Sequence, residues 1–196
     1  AEQTSITGLT GTIKWIGGVL APNGKIYCVP TNDTTVLIID PATDTAEQTS
    51  ITGLTGTTKW IGGVLAPNGK IYCIPASSEN VLIINPAIDT AERTSITGLT
   101  GTNKWRVGML ALNGKIYCTP YNATTVLIIN PATDTAEQTS ITGILPSGNA
   151  KWEGCVLAPN GKIYCVPRNS TTVLIISPYG LQTVSTDRAL SAYYNK

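Results

Sequence analysis

Four Lys-Trp pairs, Lys14-Trp15, Lys59-Trp60, Lys104-Trp105 and Lys151-Trp152, are the residues of this chain best suited to holding a ligand. An indole face stacks on a sugar ring or attracts a cation, and a neighbouring ammonium supplies hydrogen-bond donors. Four copies would give a multivalent, lectin-like surface with one site per copy and avidity from repetition. The competing reading is that each Trp fills a wedge between packed repeats while each Lys faces water. Recurrence does not separate the two, because a copied segment carries every residue with it.

Other chemistry is thin. The chain has no histidine, which removes Ser-His-Asp and Cys-His arrangements. The recurring acids Glu2, Glu47, Glu92 and Glu137, with Asp44, Asp89 and Asp134, sit at equivalent places in successive copies. No pair among them is singled out to flank a glycosidic bond. The glycines lie in strand and turn contexts, not in a phosphate-binding loop. The expectation is a protein that is not an enzyme and carries no cofactor. A metal site is not expected either, since the five cysteines include no Cys-x-x-Cys pair. Cys28, Cys73 and Cys118 read as small buried apolar residues. The net charge of +1 gives no pull towards nucleic acid or an anionic membrane. No apolar run approaches the ~20 residues of a membrane span.

Three Asn-x-Thr sequons begin at Asn32, Asn122 and Asn169. In an exported protein they would be surface loops able to carry glycan. The equivalent stretch Ser77-Ser78-Glu79 lacks the site. An extracellular or cell-surface location is the expectation, although duplication of one Asn-x-Thr would leave the same trace.

A repeat positions all these residues. The opening Ala1-Glu2-Gln3-Thr4-Ser5-Ile6 returns from Ala46, from Ala91 (with Arg93 for Gln) and from Ala136, a period of 45. Such a period fits either propeller blades or helical arrays. Each unit holds short β-rich runs broken by Gly, Pro, Asn and Asp, with no long stretch apolar at every third or fourth position. The fold expected is one all-β domain over residues 1–196. It is a β-propeller of four near-identical, 45-residue, four-stranded blades, with repeat units 1–45, 46–90, 91–135 and 136–178 and a divergent tail, 179–196.

Within a unit, the first strand is about Ile13 to Ala21, where Gly17 and Gly18 mark close approach of another backbone near the axis. Pro22-Asn23-Gly24 predicts a type I turn with Gly24 left-handed, giving a bulged hairpin. Lys25 to Val29 and Thr34 to Ile39 are the next strands, and a polar outer strand runs from Thr45 to Ile51. Tyr27, Tyr72, Tyr117 and Tyr164 read as core. In the fourth unit Cys155 replaces the second glycine. A three-residue Pro159-Asn160-Gly161 loop sets Ala158 opposite Lys162 and Cys155 opposite Cys165, with Cα atoms about 4.5 Å apart. That spacing accepts a disulfide near its short limit; two packed thiols are the alternative.

Gly-Gly-Val-Leu-Ala-Pro-Asn-Gly-Lys-Ile-Tyr followed by Thr-Val-Leu-Ile-Ile-Asp-Pro-Ala-Thr-Asp resembles the blades of YVTN and NHL propellers, and more loosely kelch repeats. The resemblance covers nearly all four units. It implies the fold, and it leaves function open because such folds host many activities. The function expected is that of a non-enzymatic structural or interaction protein. It would contact other protein chains through its faces and strand ends, as a homo-oligomer or filament; the alternative is a glycan-binding propeller. Three closures are compatible with the repeat: a tight four-bladed ring clasped by Ala1 to Ile6, an eight-bladed ring of two chains, or head-to-tail strand addition.

Overall fold

The computed structural model describes residues 6–48, 51, 53–93, 96–140 and 148–179. These form four antiparallel sheets, taken up in chain order. Blade one holds β1 (Trp15–Leu20), β2 (Ile26–Pro30), β3 (Leu37–Asp40) and β4 (Thr45–Gln48). Blade two holds β5 (Trp60–Leu65), β6 (Ile71–Pro75), β7 (Leu82–Asn85) and β8 (Thr90–Arg93). Blade three holds β9 (Trp105–Leu110), β10 (Ile116–Pro120), β11 (Thr125–Asn130) and β12 (Thr135–Ser140). Blade four shows β13 (Trp152–Leu157), β14 (Ile163–Pro167) and β15 (Leu174–Ile176) among the described residues. Its expected fourth strand lies outside them, as do residues 1–5 of the clasp expected at Ala1 to Ile6.

Local chemistry sets each hairpin. Gly24 takes φ +81°, and Gly24 N donates to Ala21 O at 3.0 Å while Ala21 N donates to Lys25 O at 2.9 Å. This is the tight turn that Pro-Asn-Gly encodes. In β1 the register slips between Trp15 and Gly18, so Ile16 and Gly17 bulge opposite β2. Gly17, at φ +80°, brings the backbones of blades one and two together: a Cβ on it would lie 3.0 Å from Gly62 Cα.

The first strands are the inner ones. β1 packs on β5, β5 on β9 and β9 on β13. Because side chains alternate across a strand, each sheet has two apolar faces. The forward face of blade one, with Tyr27, Val29, Val36 and Ile38, meets the rear face of blade two, with Trp60, Ile71, Cys73, Leu82 and Ile84. The same pairing joins blades two and three, and three and four. Each buried aliphatic side chain contributes roughly 1.5–3 kcal/mol, so the three inter-blade layers are the core.

The tight four-bladed ring is not formed among the described residues. No packing like that of β1 on β5 joins β13 to β1. Val166, Val173 and Ile175 on the forward face of blade four are 53%, 54% and 50% exposed, against 0%, 0% and 1% for Val29, Val36 and Ile38. On the rear face of blade one, Trp15, Ile26, Cys28 and Ile39 are only partly buried. Among the described residues the blades make an open arc.

Candidate functional site

Two of the Lys-Trp pairs, Lys59-Trp60 and Lys104-Trp105, are clasps between blades, whereas among the described residues Lys151 Nζ donates only to Gly148 O (3.4 Å) of its own loop. Trp60, Trp105 and Trp152 are buried in the inter-blade layers. Each indole Nε1 donates to a carbonyl of its own blade: Asn80 O, Thr125 O and Thr172 O, all at 2.8 Å. Lys59 Nζ donates to Thr31 O (3.1 Å) and Asp33 O (2.8 Å) of the preceding blade and to Gly56 O (3.0 Å) of its own loop. Lys104 repeats this with Ala76 O, Ser78 O and Gly101 O. All three ammonium donors are committed. The ammonium also lies 5.9 Å (Lys59) and 5.7 Å (Lys104) from the adjacent indole centroid. Burial lowers the pKa of Lys104 to about 8, with Glu79 opposing, and burial lowers those of Lys59 and Lys151 as well. The expected lectin-like surface is therefore corrected: these indole faces cover the neighbouring blade and cannot stack on a sugar. Among the described residues no blade packs against Lys14 and Trp15 as blade one does against Lys59 and Trp60: Trp15 is half-buried, and Lys14 Nζ reaches only Leu9 O (2.8 Å) and Gly11 O (3.3 Å).

The sequon asparagines belong to the same rim. The residue before each Lys has a left-handed backbone, at φ 47° for Ile13, 50° for Thr58, 47° for Asn103 and 57° for Ala150. Asn32 Oδ1 accepts from Thr58 N (2.8 Å), and Asn122 Oδ1 accepts from Ala150 N (2.9 Å). In blade two Ser77 Oγ takes this part for Asn103 N (3.2 Å). A side-chain oxygen at this place thus has a structural use without any glycan. Asn169, in blade four, is exposed, and no next blade supplies its Oδ1 with a donor among the described residues.

At the outer ends a second clasp appears that the sequence reading missed. Tyr27 OH donates to Asp89 Oδ1 of the next blade, Asn23 Nδ2 donates to Pro86 O (2.9 Å), and Lys25 Nζ lies 3.5 Å from Asp89. Tyr72, Asn68 and Lys70 repeat this with Asp134 and Pro131. Burial, then the Asp89 carboxylate, raises the Tyr27 pKa to about 12. For Asp134 burial acts upward, but the Tyr72 and Lys70 bonds outweigh it and its pKa is lowered. In blade three the partner turn reads Ser177-Pro178-Tyr179. Among the described residues of that turn, Tyr117 OH and Asn113 Nδ2 reach only Pro178 O, at 3.4 and 3.2 Å, while Asn113 Nδ2 also donates to Tyr117 OH (3.0 Å). Asp44, Asp89 and Asp134 sit at φ 50–52°, a region that a short polar side chain tolerates.

Blades three and four also carry residues unlike the copies. Where blades one and two have Ile16 and Ile61, these have Arg106 and Glu153; where they have Thr31 and Ala76, these have Tyr121 and Arg168. Arg106 lies 4.3 Å from the Tyr121 centroid, and Glu153 bridges Arg106 (3.7 Å) and Arg168 (2.6 Å). Cys155 does pair with Cys165 in register, but both are free thiols, which corrects the expected disulfide. Burial raises the Cys165 pKa to about 12 against a hydrogen bond from Thr119 Oγ1 at 3.8 Å. The thiolate needed for disulfide chemistry is thereby suppressed.

No protein-family model and no curated protein matches the chain. Solved structures do. Virginiamycin B lyase from Staphylococcus aureus superposes with TM-score 0.69 at 12% identity, over 89% of this chain and 56% of that one. The extracellular domain of the one-component system BT4673 from B. thetaiotaomicron gives 0.66 at 14%, over 88% of this chain and 24% of that one. A 6-phosphogluconolactonase from Bacteroides uniformis gives 0.57 at 17%, over 89% and 54%. The chain thus spans about half or less of each. The expectation that the protein is not an enzyme does not stand on fold grounds, because a lyase is among the structures most like it. At these identities the likeness establishes architecture: the chain is a β-propeller repeat array.

Proposed function

We propose that this chain is an extracellular interaction module that presents the end faces of a propeller arc to other protein chains. The observation that carries the reading is the forward face of blade four. Val156, Val166, Val173 and Ile175 are half exposed or more, side by side, at positions that the other blades bury or partly bury. A contiguous apolar patch of this kind marks an interaction surface. The sequons at Asn32, Asn122 and Asn169, and the extracellular sensor domains of the same architecture, support the location. The experiment is a photo-crosslinking side chain placed at residue 166. The reading expects adducts between polypeptides. Adducts confined to the same molecule would refute it.

A further inference from the structure

We infer that the partner is a second copy of this chain. The forward face of blade four seats on the rear face of blade one of the other copy, twice over, closing an eight-bladed ring. This deepens the interaction reading above and rests on it.

The interface that would form is already present inside the molecule. Blade one presents Val19, Tyr27, Val29, Val36 and Ile38 to blade two. At the equivalent positions the uncovered face of blade four has Val156, Tyr164, Val166, Val173 and Ile175, the same residues. Blade two receives blade one with Trp60, Leu65, Ile71, Cys73 and Ile84. The uncovered rear face of blade one has Trp15, Leu20, Ile26, Cys28 and Ile39, again the same. Two surfaces with these residues on these strands pack with Val29, Ile71 and Cys73 wholly excluded from solvent.

The polar clasp is duplicated too. Blade four keeps Asn160, Lys162 and Tyr164, matching Asn23, Lys25 and Tyr27. Among the described residues Asn160 Nδ2 reaches only Tyr164 OH (2.9 Å). Blade one keeps Pro41 and Asp44, matching Pro86 and Asp89, and Asp44 makes no side-chain hydrogen bond or ion pair among the described residues. Asp44 already has the left-handed backbone of Asp89 and Asp134. At the opposite strand ends, Lys14 spends two ammonium donors on Leu9 O and Gly11 O of its own loop, where Lys59 and Lys104 each spend two on a preceding blade. Each half of the contact thus lacks what the other supplies. A head-to-tail contact closes when its rotation allows, and eight blades lie within the range of roughly 4–8 seen in propellers.

The test uses the full chain, with mass followed by light scattering from nanomolar to tens of micromolar and Cys28 alkylation timed in the same samples. The expected result is a concentration-dependent step to twice the chain mass, with Cys28 labelling slowed at least tenfold in the dimer. Asp44→Lys sets an ammonium against Lys162 and should leave a monomer; adding Lys162→Asp should restore the dimer. Val166→Asp, at an exposed position, should also give a monomer and covers the case in which Asp44→Lys misfolds. A monomer at every concentration with Cys28 freely labelled overturns the second-copy inference and leaves the open faces standing. A monomer with Cys28 protected at every concentration means the faces are covered within one chain, and both readings fall. Masses that keep growing would overturn the closed ring.

Discussion

The same substitution at four equivalent positions should have four different costs. Tyr→Phe at residues 27, 72, 117 and 164 removes one hydroxyl each time and leaves the ring. Tyr27 and Tyr72 each donate to a carboxylate of the next blade. Losing a hydrogen bond to a charged group costs about 1.5–3 kcal/mol. Tyr117 donates only to Pro178 O at 3.4 Å, so its cost should fall to about 0.5–1.5 kcal/mol, the range of a neutral bond. Among the described residues Tyr164 meets no carboxylate of another blade and only accepts from Asn160; its variant should lie within about 0.5 kcal/mol of the parent, as for a surface change. The assay is urea unfolding of the four variants at a concentration low enough for single chains, with equal m-values confirming a common unfolding step. Equal costs at all four positions would refute the reasoning, since burial of the ring and not the inter-blade clasp would then set the energy.

Further expectations follow from glycine geometry and from buried thiols. Gly17→Ala should destabilise more than Gly62→Ala in thermal melts. Both have positive φ, +80° and +69°, but only at Gly17 would a Cβ press on a backbone, 3.0 Å from Gly62 Cα. The left-handed conformation alone costs roughly 1–2 kcal/mol. Burial raises the pKa values of Cys73 and Cys118, both fully enclosed. Above about pH 8.5 the unfolded chain releases these protons and the folded chain holds them. Stability is therefore complete below that pH and is lost as pH rises, by about 1.4 kcal/mol per unit for each thiol. Lys104, with its lowered folded pKa, acts in the opposite direction above pH 8, as do Lys59 and Lys151 with theirs, but these three lysines face five thiols whose pKa burial raises. Denaturant midpoints at pH 8 and 10 should show the fall, and Cys73→Val with Cys118→Val should flatten it.

Much of this architecture was legible in the residues. Pro-Asn-Gly fixed the hairpin and its register, so the pairing of Cys155 with Cys165 and of Val156 with Tyr164 follows from loop length alone. The Gly17-Gly18 pair correctly signalled crowding near the axis. The Lys-Trp pair was ambiguous because a Trp that fills a wedge and a Trp that stacks on a sugar have the same spacing. Only the position of the preceding blade separates them. The Tyr27–Asp89 clasp was missed because its partners belong to different repeats and each half has an ordinary local explanation, core for the Tyr and turn for the Asp. Ring closure depends on the angle between successive sheets, which no single repeat encodes. Excluding enzymes from missing motifs asked too much of one chain, given that a lyase shares its architecture.

Among the described residues the chain is an open arc whose last blade leaves its forward face uncovered. That arrangement is tested most directly by placing Asp at one repeat position in two blades and comparing unfolding free energies in dilute solution. Ile74 is 0% exposed and Val166 53%. Ile74→Asp should cost about 4 kcal/mol or more, or prevent folding, because it buries an unpaired charge. Val166→Asp should change stability by no more than about 0.5 kcal/mol. A Val166→Asp variant as damaged as Ile74→Asp would mean that the face is covered within the chain, and the open arc would be wrong.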